Sequence, residues 1–75
     1  MSTFPSITGA RMIKALKTVG FKILRIKGSH HFLQHTDGRC TVVPVHSGET
    51  LGRGLLAKIL KDCDLDREDL QKLLK

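Results

Sequence analysis

The sequence has 75 residues, a formal net charge of +6 and a pI of about 9.8. A chain of this length buries only about 60% of its unfolded surface, which excludes a deep cavity and favours a surface-bound substrate such as a polymer or another protein. No apolar stretch approaches the roughly 20 residues that span a bilayer, and the N-terminus lacks the pattern of a signal peptide. We therefore expect a single domain over residues 1–75, a cytoplasmic location and reduced cysteines.

Positive charge is concentrated in the body of the chain. Residues 1–61 contain ten Lys or Arg and two acidic residues, whereas residues 62–75 contain three and five. A basic body attracts polyanions, because each phosphate that Lys or Arg neutralises releases a condensed counterion. The charge therefore favours nucleic acid or an acidic protein as a partner, although solubility alone is the simpler interpretation.

The amino-terminal half predicts one helix followed by two strands. Thr8 offers an N-cap hydroxyl, and apolar residues at helical spacing predict a helix from about Gly9 to Val19. Alternating apolar and charged residues predict a strand over 21–27. Gly28-Ser29 interrupts this pattern, and a second strand is predicted over 30–36.

A hairpin should join the second strand to a third over 39–45. Asp37-Gly38 is a favoured pair for a two-residue turn, which would pair residues whose numbers sum to 75. Pro44 favours an edge position for the third strand. In this register one face of the sheet carries His30, Phe32, Val43 and Val45. The other face carries His31, Leu33, Cys40 and Val42.

The carboxy-terminal part predicts a glycine-rich loop over 46–54 and two helices. Apolar residues from Leu55 to Cys63 recur at helical spacing. Asp66 is the predicted N-cap of a short third helix, with Leu65 and Leu70 placed as a hydrophobic staple. The element order predicts an α+β fold.

Two adjacent imidazoles follow the glycine turn, in the sequence Gly28-Ser29-His30-His31. The unperturbed pKa of histidine is about 6.5, so the side chain can take and give a proton near neutral pH. A histidine pair at a turn in a basic chain therefore suggests proton-transfer chemistry.

Several segments together resemble the HicA toxins of bacterial and archaeal toxin–antitoxin modules. They are the helix start at Thr8-Gly9, GSHHF at 28–32, the Asp37-Gly38 turn, VPVHSGE at 43–49, and the helix over 54–65. GSHH alone is a weak signal, but the second motif about a dozen residues later makes the resemblance specific. It covers nearly the whole chain.

The resemblance implies a double-stranded-RNA-binding-like fold, in which helices cover one face of a three-stranded antiparallel sheet. It also implies a metal-independent ribonuclease, without a cofactor, that cleaves messenger RNA and halts growth, held inactive by a HicB antitoxin. The family's catalytic histidine corresponds to His30, and His31 inherits a weaker claim. An antitoxin that covers the basic face and His30 agrees with the charge.

Seven further residues are candidate RNA-binding residues. They are Arg25, Lys27, Gly28, Ser29, His31, Arg39 and His46. Because neighbours on a strand point to opposite faces, His30 and His31 cannot easily flank one phosphate. His46, expected opposite Ser29, is the better second imidazole, although a loop-anchoring hydrogen bond is the more ordinary role for it.

Three alternatives remain at this point. His31, His35 and Cys40 share a face in the predicted register and could bind zinc, although no zinc-site spacing is present. A non-catalytic RNA-binding module would use the same fold and its basic residues on phosphates. An interaction protein would use the basic surface for an acidic partner alone.

Overall fold

The computed structural model describes residues 6–74, and its first helix begins where the sequence predicts. Helix α1 spans Gly9–Thr18, and the Thr8 hydroxyl accepts a hydrogen bond from the Arg11 backbone N–H at 3.2 Å. This bond satisfies one of the free N–H groups of the first turn. The helix turns a buried face to the sheet, made of Met12, Ile13, Ala15 and Leu16.

The sheet has three antiparallel strands in the order β1-β2-β3. Strand β1 is Phe21–Lys27, β2 is His30–His35 and β3 is Cys40–Pro44. The strand positions are confirmed to within one residue at each end. Pro44 ends an edge strand, as predicted, and at this position its missing backbone N–H leaves no hydrogen bond of the β2–β3 ladder unmade.

The predicted register of the β2–β3 hairpin is wrong by one residue. The His35 N–H donates to the Arg39 carbonyl at 2.7 Å and the Gly38 N–H donates to the His35 carbonyl at 2.9 Å, so the loop has three residues, 36–38. Gly38 has φ +100°, which suits the left-handed position that closes a three-residue hairpin. Paired residue numbers therefore sum to 74, as in His30 opposite Pro44.

The shifted register exchanges the faces of every β3 residue relative to β2. Val43, predicted beside Phe32, instead lies on the face of Leu33, and both side chains are fully buried. Val42 pairs with Phe32 on the other side. We call this second side the open face, and its members are Lys22, Arg25, Lys27, His30, Phe32, Gln34, Cys40, Val42 and Pro44.

Two helices complete the α+β layout that the sequence predicts. Helix α2 spans Arg53–Asp62 and starts two residues before the predicted Leu55. Helix α3 spans Arg67–Leu73, and Asp66 and Asp69 form a reciprocal capping box at its start. The helices contribute to one core with the buried face of the sheet, whose main members are Ile7, Met12, Leu16, Phe21, Leu33, Val43, Leu56, Ile59, Leu60, Cys63 and Leu70.

The loop between β3 and α2 is anchored to the segment before α1. Thr8 and Thr50 form an isolated antiparallel bridge, and the Leu51 N–H donates to the Ile7 carbonyl at 2.8 Å. The glycine-rich loop is therefore more than a flexible connection. Within residues 6–74, each helix is too short and too polar to cross a bilayer.

Candidate active site

The turn before His30 is a tight hairpin loop of two residues, Gly28 and Ser29. Lys27 and His30 pair across it, and Gly28 has φ +60°. Glycine at the first central position is typical of a type II′ turn, whose twist matches that of the flanking strands. A side chain at residue 28 would be strained by this backbone conformation. The glycine therefore sets the geometry with which β2 begins.

The Ser29 carbonyl ties this turn to the rest of the sheet. It accepts a hydrogen bond from the Val45 N–H at 2.7 Å and another from the His31 Nδ1–H at 3.2 Å. The first bond extends the β2–β3 ladder past Pro44, and the second bond comes from the half-buried imidazole of His31. The backbone on which His30 sits is thus held from two directions.

His30 is exposed and faces solvent from the open face. Its neighbours across the ladder are Lys27 on β1 and Pro44 on β3. Within residues 6–74 the ring has no hydrogen-bond or ion-pair partner, so both nitrogens are available to a substrate. A rigid backbone with an uncommitted imidazole suits proton transfer to or from a bound molecule.

His31 lies on the opposite face from His30, as strand alternation predicts. It pairs with Val43 and Ile26 on the side that the helices cover. Its Nδ1–H is engaged with the Ser29 carbonyl. The geometry therefore gives His31 a role in holding the turn and separates it from the surface on which a phosphate would meet His30.

Two predicted RNA-binding cations stand beside His30 on the open face. Lys27 is its direct cross-strand neighbour, and Arg25 is two residues further along β1. Both side chains are exposed, and neither forms an ion pair within the described part of the chain. Cations placed this way can neutralise a phosphate and stabilise the negative charge that builds on it during cleavage.

His46 follows β3 by two residues and is also close to the end of the sheet where His30 lies. The prediction that it stands opposite Ser29 is wrong, because Val45 occupies that place. His46 and Pro44 line one groove of about 240 Å³, and Pro44 is the ladder partner of His30. Pro44 is therefore the residue that links His46 to His30 in the described part of the chain.

Arg39 lies at the other end of the sheet and is engaged in structural contacts. Its Nε donates to both carboxylate oxygens of Asp37, its Nη1 donates to the Cys63 carbonyl, and its guanidinium lies 5.2 Å from the Phe21 ring centroid. The hydrogen bond from the Arg39 backbone N–H holds the pKa of Asp37 below its usual value. The structure therefore separates Arg39 from the other predicted RNA-binding residues.

The zinc alternative fails on the corrected register. Cys40 pairs with Gln34 on the open face, whereas His31 and His35 lie on the other face. Among residues 6–74 there is no group of three potential metal ligands. The other thiol, Cys63, is buried, and burial raises its pKa to about 12.

A protein-family model described as HicA toxin of bacterial toxin–antitoxin matches residues 9–65. The match starts at the first residue of α1 and ends after α2, so it contains the whole sheet. The chain belongs to the HicA toxin family. It is therefore a toxin of a toxin–antitoxin module, and membership implies an antitoxin partner. A comparison with curated proteins finds no match.

The candidate site contains one further group that the sequence analysis did not single out. The Phe32 ring lies on the open face, and the Arg25 guanidinium carbon is 4.8 Å from its centroid. Two signals were present: Phe32 is two residues after His30 on a strand, so it shares the same face, and the chain has few aromatic residues. The pairing of Arg25 with Phe32, however, depends on a β-bulge between Ile23 and Arg25 that the alternation pattern does not show.

Proposed function

We propose that this HicA-family toxin is a ribonuclease that cleaves messenger RNA without a metal ion and uses His30 for proton transfer. The observation that carries the proposal is the exposed, uncommitted His30 ring on a backbone held by two hydrogen bonds to the Ser29 carbonyl. Lys27 and Arg25 supply positive charge on the same face. Stopping translation by destroying messenger RNA would account for toxicity.

RNA supplies its own nucleophile for this reaction. A base removes the proton of the ribose 2′-hydroxyl, whose oxygen attacks the adjacent phosphorus, and an acid protonates the departing 5′-oxygen. The products are a 2′,3′-cyclic phosphate and a free 5′-hydroxyl, so no water or metal enters the first step. His30 performs one of the two proton transfers, Lys27 stabilises the charged phosphorane, and His46 is the candidate for the second transfer.

The ribonuclease proposal is tested with labelled messenger RNA and purified protein, with a chelator present throughout. Wild-type protein is compared with His30→Ala and with Gln34→Ala, an exposed residue further along β2 on the same face. Removing a histidine acid or base typically costs ~10²- to 10⁴-fold in rate, so His30→Ala should lose cleavage and keep RNA binding. Gln34→Ala should cleave normally.

Two outcomes would contradict the proposal in different ways. Normal cleavage by folded His30→Ala would remove His30 from the mechanism. Binding of RNA by the wild type without cleavage would favour the non-catalytic RNA-binding module that the same fold can form.

We further propose that the antitoxin is of the HicB type and covers the open face together with His30. Strand β1, the edge strand beside the open face, has the composition of an interface, because two large apolar side chains, Leu24 and Ile26, are exposed there, with Ile26 on the side of the strand away from His30. Lys22, Arg25 and Lys27 alternate with them. A partner with acidic and apolar side chains would complement this strand and exclude RNA from His30.

A further inference from the structure

Phe32 is the one phenylalanine on the open face in the part of the chain that the structure describes. The other phenylalanine in residues 6–74, Phe21, is in the core with 1% of its surface exposed. Phe32 is half-buried, and Arg25 lies opposite it across the β1–β2 ladder. The guanidinium carbon is 4.8 Å from the ring centroid, which is a cation–π contact.

A second arginine–phenylalanine contact in this chain shows what a purely structural pair looks like. Arg39 contacts the buried Phe21 ring, and hydrogen bonds to Asp37 and to the Cys63 carbonyl hold its guanidinium. Arg25 has no such bonds within residues 6–74, and its contact with Phe32 is made at the solvent boundary. The Arg39–Phe21 pair is locked by its surroundings, whereas the Arg25–Phe32 pair is free to accept another flat group.

Space for such a group lies beside the ring. Leu24, Phe32 and Val42 line a shallow groove of about 410 Å³ that continues to Lys58 and Asp62 at the β3 edge. This volume is within the range of roughly 300–1,000 Å³ that is usual for small-molecule sites. Most of the groove near the ring is apolar, which suits the face of a heterocycle more than a phosphate.

The groove is also placed correctly with respect to His30. Phe32 follows His30 by two residues on β2, so their side chains project from the same face about 6.7 Å apart along the strand. A nucleotide whose phosphate lies at His30 and Lys27 would therefore have a neighbouring base within reach of the Phe32 ring.

We propose that Phe32 and Arg25 form a stacking platform for a nucleobase of single-stranded RNA, next to the phosphate that is cleaved at His30. This inference rests on the proposed function, because it assigns the base-binding part of the same site. Bases stack on phenylalanine rings and on guanidinium planes, and each stacked base contributes ~1–3 kcal/mol to binding. The platform would hold a base beside the cleaved bond with little preference among the four bases, because every base has a face that can stack.

The first test measures equilibrium binding by fluorescence anisotropy in the His30→Ala background, so that the RNA stays intact. The probes are a labelled single-stranded RNA oligonucleotide and the same backbone with its bases removed. Phe32→Leu keeps an apolar side chain without the ring, and Phe32→Tyr keeps the ring. Gln34→Ala is the matched control on the same face.

Phe32→Leu should weaken binding of the intact oligonucleotide by roughly 5- to 150-fold, which is ~1–3 kcal/mol, and leave binding of the abasic backbone unchanged. Phe32→Tyr and Gln34→Ala should bind both probes like the parent protein. Equal affinities of parent and Phe32→Leu for the intact probe would overturn the platform. An equal loss for both probes would overturn it as well, since stacking requires bases.

A second test uses the absence of tryptophan and tyrosine from the sequence. Phe32→Trp gives the protein a single indole on the proposed platform, and Gln34→Trp gives one further from His30. RNA should quench the first indole strongly and the second weakly when anisotropy shows that both variants are saturated. Equal quenching, or no quenching of Phe32→Trp, would overturn the platform.

These tests separate failure of the platform from failure of the proposed function. Absence of RNA binding by the parent protein would remove the ribonuclease proposal and the platform together. Cleavage and binding by the wild type, with no change in Phe32→Leu, would remove only the platform.

Discussion

Gly9, at the start of α1, lies directly against the backbone of Pro44, the residue paired with His30. A Cβ atom at residue 9 would overlap the Pro44 carbonyl oxygen and lie 3.2 Å from the Val45 Cα. Gly9→Ala should therefore destabilise the fold by about 1–3 kcal/mol through overpacking, more than the gain in helix propensity returns. Urea unfolding monitored by circular dichroism measures the difference.

Gly54→Ala is the matched control for that substitution. Gly54 lies in the first turn of α2, where an added Cβ would meet no atom within 4 Å. The same change should stabilise the protein here by up to ~1 kcal/mol, because alanine is the better helix former. A stabilised Gly9→Ala would contradict the close contact between α1 and β3, and a destabilised Gly54→Ala would contradict the open space beside residue 54.

Substitutions of Arg39 and Lys27 should distinguish a cation that stabilises the fold from a cation that binds RNA. Arg39→Ala removes the contacts to Cys63 and Phe21 and should cost about 1–3 kcal/mol of stability, with little effect on the salt dependence of RNA binding. Lys27→Ala should leave stability unchanged. It should make the negative slope of log K against log salt shallower by roughly 0.7, which corresponds to one lost single-strand phosphate contact. Binding at several salt concentrations and urea unfolding measure the two effects.

The opposite pattern would restore the interpretation made from the sequence. If Arg39→Ala lowers the salt slope without loss of stability, Arg39 binds phosphate. If wild-type binding does not weaken with salt at all, phosphate contacts do not drive RNA binding.

Asp37 should contribute stability that disappears in acid. Hydrogen bonds from the Arg39 backbone and side chain lower the pKa of Asp37 in the folded state. Because this pKa is lower than the unfolded value of about 3.9, the carboxylate stabilises the fold above that pH and loses its effect as pH falls through the folded pKa. The stability difference between wild type and Asp37→Asn should therefore be largest at neutral pH and shrink below about pH 4.

Glu49→Gln is a suitable comparison for this titration. The Glu49 carboxylate makes no hydrogen bond or ion pair within residues 6–74. The Glu49→Gln variant should unfold in urea like the wild type at each pH. A pH-independent difference between wild type and Asp37→Asn would show that the carboxylate acts without its charge.

Leu24 and Ile26 should be needed for binding of the antitoxin. Their side chains are 60% and 57% exposed on an edge strand, so the double change to glutamine should leave folding intact. We expect the dissociation constant of the toxin–antitoxin complex to rise at least about 10-fold, since burial of apolar surface is the dominant favourable contribution to protein association. Ala57→Gln, on the exposed side of α2, is the control. An unchanged constant for the double variant would place the antitoxin elsewhere.

Local features of the sequence determined the helices, the strands and the position of the candidate histidine. Thr8 and Asp66 cap the helices that they were predicted to cap, because a capping hydroxyl or carboxylate acts on N–H groups two or three residues away. Alternation placed His30 and His31 on opposite faces, because this period is a property of any extended strand. These interactions extend over a few residues, and a sequence pattern records them directly.

Only the tertiary structure decided the register and what each cation faces. Asp37 accepts hydrogen bonds from Arg39, and the loop has three residues where Asp37-Gly38 favoured two. That single residue moved Val42 beside Phe32 and took Cys40 away from His35. Arg25 and Arg39 are alike in the sequence, but Arg25 meets a half-buried ring, whereas Arg39 meets a buried ring and the carbonyl of the residue that ends α2. Contacts between distant segments depend on how the chain closes in space, which no local pattern specifies.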